Sequence, residues 1–122
     1  MKHVNPDGYS QEEINLAFEY FVATAQEVTD KYMSESFPTL PRYIIRVSEG
    51  STYWKLIREV DESSSFSRDT SVHGFIRKSD GAIFKAASWK APYTKGKSAI
   101  RGYVTDEFAK STLTPHGIIY AQ

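Results

Sequence analysis

Between Ser10 and Arg46 the hydrophobic period of the chain changes, and that change dictates the fold class. Ile14, Ala17, Phe18, Phe21, Ala25, Val28 and Tyr32 recur at spacings of three and four, which gathers them on one face of a helix. Glu12, Glu19, Glu27 and Asp30 fall opposite. Ser10 followed by Glu13 fits a capping box, in which each residue satisfies a backbone amide of the other. The pattern predicts an amphipathic helix over about 11–33, closed ahead of Pro38 and Pro41. Leu16 and Tyr20 lie one turn apart among the acids. They read either as ordinary exposed apolar residues or as a protein-interface spot.

After Pro41 the period falls to two. Tyr43, Ile45 and Val47 alternate with Ile44, Arg46 and Ser48, and after Glu49-Gly50 a second alternating run places Trp54, Leu56 and Val60 on one face. Both read as strands. Asp61 to Thr70 is Ser-rich and reads as an exposed loop that Phe66 tacks down. A third strand has Val72, Gly74 and Ile76 on one side and His73, Phe75 and Arg77 on the other; Asp80-Gly81 then signals a hairpin. The predicted strands are about 42–48, 52–60, 71–78 and 82–89. Short turns between them imply an antiparallel meander with the helix on one face. The expected fold is α+β, a single domain over 1–122 with an irregular basic C-terminal segment. In that segment Thr105-Asp106-Glu107 suggests a short helix and Ile118-Ile119-Tyr120 an edge strand.

Composition excludes several classes. The 122 residues suit one domain, and 14% aromatic content suffices for a packed core. The absence of Cys removes disulfides, thiolate metal sites and Cys nucleophiles. No apolar run approaches the roughly 20 residues of a membrane span, and MKHVNPDGYS lacks a secretory apolar stretch. A cytoplasmic protein with no membrane role is expected.

Net charge is zero, from 15 Lys+Arg and 15 Asp+Glu, yet the charges are segregated. Residues 1–35 carry −5, residues 36–80 carry +1 and residues 81–122 carry +4. From Gly81 through Thr105 there are five bases and no acid. Such asymmetry marks an interaction surface, or two ends that pair within or between chains. The basic stretch interleaves Lys85, Lys90, Lys95, Lys97 and Arg101 with Trp89, Tyr93 and Tyr103. Cations neutralise phosphates and aromatic faces stack on unpaired bases, so these eight residues are the candidate ligand site. The competing reading is a solvated basic loop after a strand whose Trp89 plugs the core.

Catalytic signals are absent. Gly96-Lys97-Ser98 ends like a P-loop, but the first glycine of that motif would fall at Ala91, and Pro92 follows. His3, His73 and His116 share no ligand spacing, and no G-x-S-x-G is present. No catalytic residue, metal site or cofactor is expected, and the chain reads as a non-enzyme.

The stretches Ser71-Val72-His73-Gly74-Phe75-Ile76, Asp80-Gly81, Lys85-Ala86-Ala87-Ser88-Trp89-Lys90-Ala91-Pro92 and Arg101-Gly102 together resemble small uncharacterised proteins of tailed bacteriophages. The resemblance spans about Arg42 to Tyr103 and leaves the helix outside it. It brings no activity. It implies a small phage protein acting in the host cytoplasm or built into a virion. The resulting expectation is a phage-type protein that binds nucleic acid or another phosphate-bearing ligand through its basic aromatic segment. The alternative is an assembly component, virion-associated or forming a homo-oligomer, or an inhibitor of a host protein, acting through Leu16 and Tyr20.

Overall fold

A computed structural model describes residues 8–39, 42–60, 70–96, 99–106, 109–114 and 117–118. Helix α1 runs Gln11–Ser36. At its start the Ser10 hydroxyl accepts the Glu13 N–H at 3.1 Å, and Glu13 Oε1 accepts the Ser10 N–H at 2.9 Å. The helix extends three residues beyond the expected end and stops at Phe37, whose N–H donates to the Met33 carbonyl. Pro38 sets that stop, because its ring disfavours helical geometry in the preceding residue. Ile14, Phe18, Phe21, Ala25, Thr29 and Met33 form the buried stripe. Thr29 is tolerated there because its hydroxyl donates to the Ala25 carbonyl at 2.9 Å.

Five strands follow: β1 Tyr43–Glu49, β2 Tyr53–Val60, β3 Ser71–Arg77, β4 Ala82–Phe84 and β5 Ile100–Tyr103. They form one antiparallel sheet in the order β1-β2-β3-β4-β5. The meander was expected; its fifth strand was not. The Asp80-Gly81 turn is present, with Gly81 at φ +78° donating to the Arg77 carbonyl at 2.7 Å.

Helix α1 covers one sheet face. Ile14, Phe18, Phe21 and Ala25 pack there with Ile45, Trp54, Leu56, Ile76 and Ile83. Phe18 stacks on Trp54 with centroids 3.9 Å apart. The outer face has its own apolar cluster of Phe75, Ala82, Phe84 and Ala99, flanked by Tyr53, Ile100 and Tyr103. The result is two layers, a helix on a sheet, with the outer sheet face bearing a second, smaller cluster.

The chief correction lies in the predicted strand 82–89. It ends at Phe84, and Lys85 to Tyr93 forms a separate excursion. The Tyr93 N–H returns to the Lys85 carbonyl at 2.8 Å, while the Ala87 and Ser88 N–H groups both donate to the Ala91 carbonyl at 3.0 and 3.1 Å. Ala86 bridges Pro92, and Pro92 has no N–H with which to extend the ladder. The chain then supplies β5 beside β4.

Further on, Thr105-Asp106 lies in a turn, and the next described element is a 3₁₀ helix at Ala109–Thr112. The strand expected at 118–120 appears instead as β7, Gly117–Ile118, paired with β6, Leu113–Thr114, in a separate two-stranded sheet. Ile119, Tyr120, Phe66 and nearly all of the Ser-rich loop lie outside the described residues.

Candidate nucleic-acid interface

Strand alternation determines which cations face outward. In β2, Trp54 and Leu56 are buried against α1, so Lys55 between them points to the outer face. In β1, buried Ile45 likewise turns Ile44 and Arg46 outward. Lys55 pairs in register with Ser48 on one side and Phe75 on the other. The excursion after β4 brings Trp89 to this face, and Lys55 Nζ lies 3.8 Å from the centre of its ring. That is a cation–π contact. One ring face is engaged by Lys55, while Trp89 stays 47% exposed.

The patch is electrically crowded. Partial desolvation, then the charges of Arg46 and Lys90, hold the Lys55 ammonium below the ordinary lysine value. Arg46 is partly compensated by Glu59, whose Oε1 lies 3.1 Å from its Nε. Lys55 therefore stands beside two further cations on a face that also presents an open indole.

Of the eight residues singled out in the sequence, Trp89, Lys90, Tyr93 and Lys95 are exposed, Tyr93 at 41%. Lys85 is half-buried. Tyr103 packs into the outer-face cluster. Arg101, expected among the surface cations, is only 5% exposed on β5. It sits where strand pairing draws the chain back into the sheet, so it cannot join the patch. Lys97 lies outside the described residues. Lys55 and Arg46 were missed in the sequence. Their one signal was their place at the polar positions of alternating strands, which says which way they point but not what they meet.

Two other clefts differ in character from this patch. One of about 300 Å³ is lined by Arg77, Phe84, Thr94, Gly96, Ala99 and Ile100. Its Arg77 guanidinium is held by the Asp80 carboxylate at 2.6 and 3.0 Å, which raises the arginine pKa further and neutralises the charge. The other, about 480 Å³, lies by the start of α1 and the β1–β2 turn. There Lys78 Nζ is paired with Glu49 Oε2 at 2.6 Å and with the Gly50 carbonyl at 3.0 Å.

Every strand pairing among the described residues is antiparallel, so Gly96-Lys97-Ser98 lacks the parallel sheet in which a P-loop sits. His73 is buried in β3, and His3 and His116 lie outside the described residues. Among the described residues no three His, Asp or Glu side chains gather as a metal would need. No helix among them is long and apolar enough to cross a membrane.

The fold thus defines a small α+β protein with one helix laid on an antiparallel meander. The chain belongs to a family of unknown function (DUF7717), whose model matches residues 9–112 and so takes in α1, all five strands of the sheet and the Trp89 excursion. No curated protein and no solved structure matches it.

Proposed function

We propose that this chain is a non-enzymatic binder of single-stranded nucleic acid, acting through the outer-face patch of Trp89, Lys90, Lys55 and Arg46, with exposed Tyr93 and Lys95 following Trp89 in the chain. The observation that carries the reading is Trp89, 47% exposed, held by Lys55 at 3.8 Å beside Lys90. An exposed indole offers a face for an unpaired base, and the surrounding cations neutralise phosphates. Stacking on an indole and neutralisation of phosphates are both indifferent to base identity, so binding is sequence-tolerant. In the setting that the phage resemblance implies, the strand would be phage or host nucleic acid within the infected cell.

The test is fluorescence anisotropy of a labelled thymidine oligonucleotide titrated with the protein. With about three phosphates neutralised, the binding constant falls roughly 15–20-fold between about 50 and 200 mM salt. Trp89→Ala weakens binding by roughly 5-fold or more, the loss of one stacked base. Absence of binding, affinity indifferent to salt, or a Trp89→Ala variant that binds like the wild type overturns the proposal.

A further inference from the structure

The acidic and basic surfaces of this chain cannot meet within one copy. Helix α1 covers the inner sheet face with Ile14, Phe18 and Phe21, so its acidic side looks away from the sheet. Lys55 and Trp89 lie on the opposite sheet face. Among the described residues, the acids of α1 and the Lys55–Lys90–Trp89 patch are therefore separated across the thickness of the molecule.

Each surface carries what the other lacks. On the outer side of α1, Leu16 is 66% and Tyr20 61% exposed, with Glu12, Glu19 and Glu27 exposed on the same side of the helix. Across the molecule, exposed Trp89 lies over Lys55 beside Lys90 and Arg46, and Tyr93 is exposed further along the same excursion. Both surfaces thus pair exposed apolar groups with charge of one sign, and the signs are opposite. Complementary potentials steer association, and the apolar centre supplies what surface ion pairs alone do not.

We infer that copies of this chain associate head to tail, the Leu16–Tyr20 face of α1 in one copy seating on the Trp89–Lys90–Lys55 face of the next. The contact is heterologous, so an open assembly always keeps one free face of each kind at its two ends, and growth proceeds to chains or a ring instead of stopping at a two-fold dimer. The acidic helix occupies the surface assigned above to phosphates, so self-association and strand binding compete. The inference uses that basic aromatic face but does not depend on nucleic-acid binding, and it is tested without nucleic acid.

The experiment is sedimentation velocity over a concentration series at low salt. The wild type is expected to exceed the mass of two 13.8 kDa copies as concentration rises and to fall back toward one copy as salt screens the charges. Two double variants separate the faces: Leu16→Lys with Tyr20→Ala, and Trp89→Ala with Lys90→Glu. All four positions are exposed, and circular dichroism verifies that both variants fold. Each alone is expected to remain a monomer, while an equimolar mixture forms a 1:1 heterodimer and goes no further, because each variant contributes one intact face. A wild type that stays monomeric to its solubility limit overturns the inference. So does self-association of either variant at wild-type strength, or a mixture that remains monomeric.

Discussion

The side-chain amide of Gln26 occupies the edge of β1 at Ile45 as a neighbouring strand would. Its Oε1 accepts the Ile45 N–H at 2.8 Å, and its Nε2 donates to the Tyr43 carbonyl at 3.0 Å and to Asp30 Oδ1 at 3.0 Å. An edge strand presents a row of backbone groups that invite pairing with another chain. Here the helix closes part of that row with one residue and pins itself to the sheet margin by the same bonds.

Gln26→Ala is expected to lower unfolding stability by about 1–3 kcal/mol, measured by urea denaturation, because both β1 backbone groups lose their partner. Gln26→Glu gives a sharper result. Its carboxylate still accepts from Ile45 but faces the Tyr43 carbonyl and Asp30 with no proton to donate. At neutral pH it is no better than the alanine variant, and it recovers as acid protonates the new carboxyl.

Two glycines of positive φ should respond unequally to alanine. At Gly81, φ is +78° and an added Cβ would stand 2.7 Å from Val104 Cγ2. Val104 cannot easily withdraw, because its N–H donates to the Gly81 carbonyl at 2.9 Å. At Gly96, φ is +84° with nothing within 4 Å of the added carbon. Thermal unfolding is expected to show a loss of about 1–2 kcal/mol for Gly96→Ala, from conformation alone, and a larger loss for Gly81→Ala, where the clash adds to it.

Arg101 and Lys90 belong to the same basic stretch but should separate by assay. Arg101→Ala empties a buried position and is expected to cost about 2 kcal/mol or more in denaturant unfolding. Lys90→Ala should stay within about 0.5 kcal/mol of wild type, while weakening oligonucleotide binding and reducing its salt slope by about 0.7. Equal effects of the two on stability would contradict their placement.

Lys55 predicts a pH dependence. Desolvation, then Arg46 and Lys90, hold its pKa in the folded chain below the 10.5 of an unperturbed lysine. In the interval between the folded value and 10.5 the native state binds fewer protons than the unfolded chain. Its contribution to stability is therefore least favourable below the folded value, rises with pH through that interval and levels off above 10.5. NMR titration of the Lys55 side chain is expected to give a midpoint under 10.5 that moves back up in Lys90→Ala.

The helix and the meander were legible because their signals are local. A stripe at spacings of three and four, a Ser10–Glu13 cap and an Asp80-Gly81 turn each act over a few residues, and all three appear in the fold. The exposure of Leu16 and Tyr20 was equally legible, since a helix that buries Ile14 and Phe18 has little choice but to turn them outward. The end of β4 was not legible. Alternation in 82–89 is compatible with a longer strand, and only the competition between Ala86–Pro92 bridging and the return of β5 decides that the chain leaves the sheet at Phe84.

The sequence by itself determined the element types, their order and the separation of charge along the chain, because periodicity, caps and charge are properties of neighbouring residues. Tertiary structure alone decided that Arg101 is buried, that Trp89 is exposed and that Lys55, from a different strand, stands over its ring. Those outcomes depend on which strands pair and which sheet face the helix covers. Contacts between residues far apart in the chain exist only once loop closure has been offset by packing, and no local pattern records them.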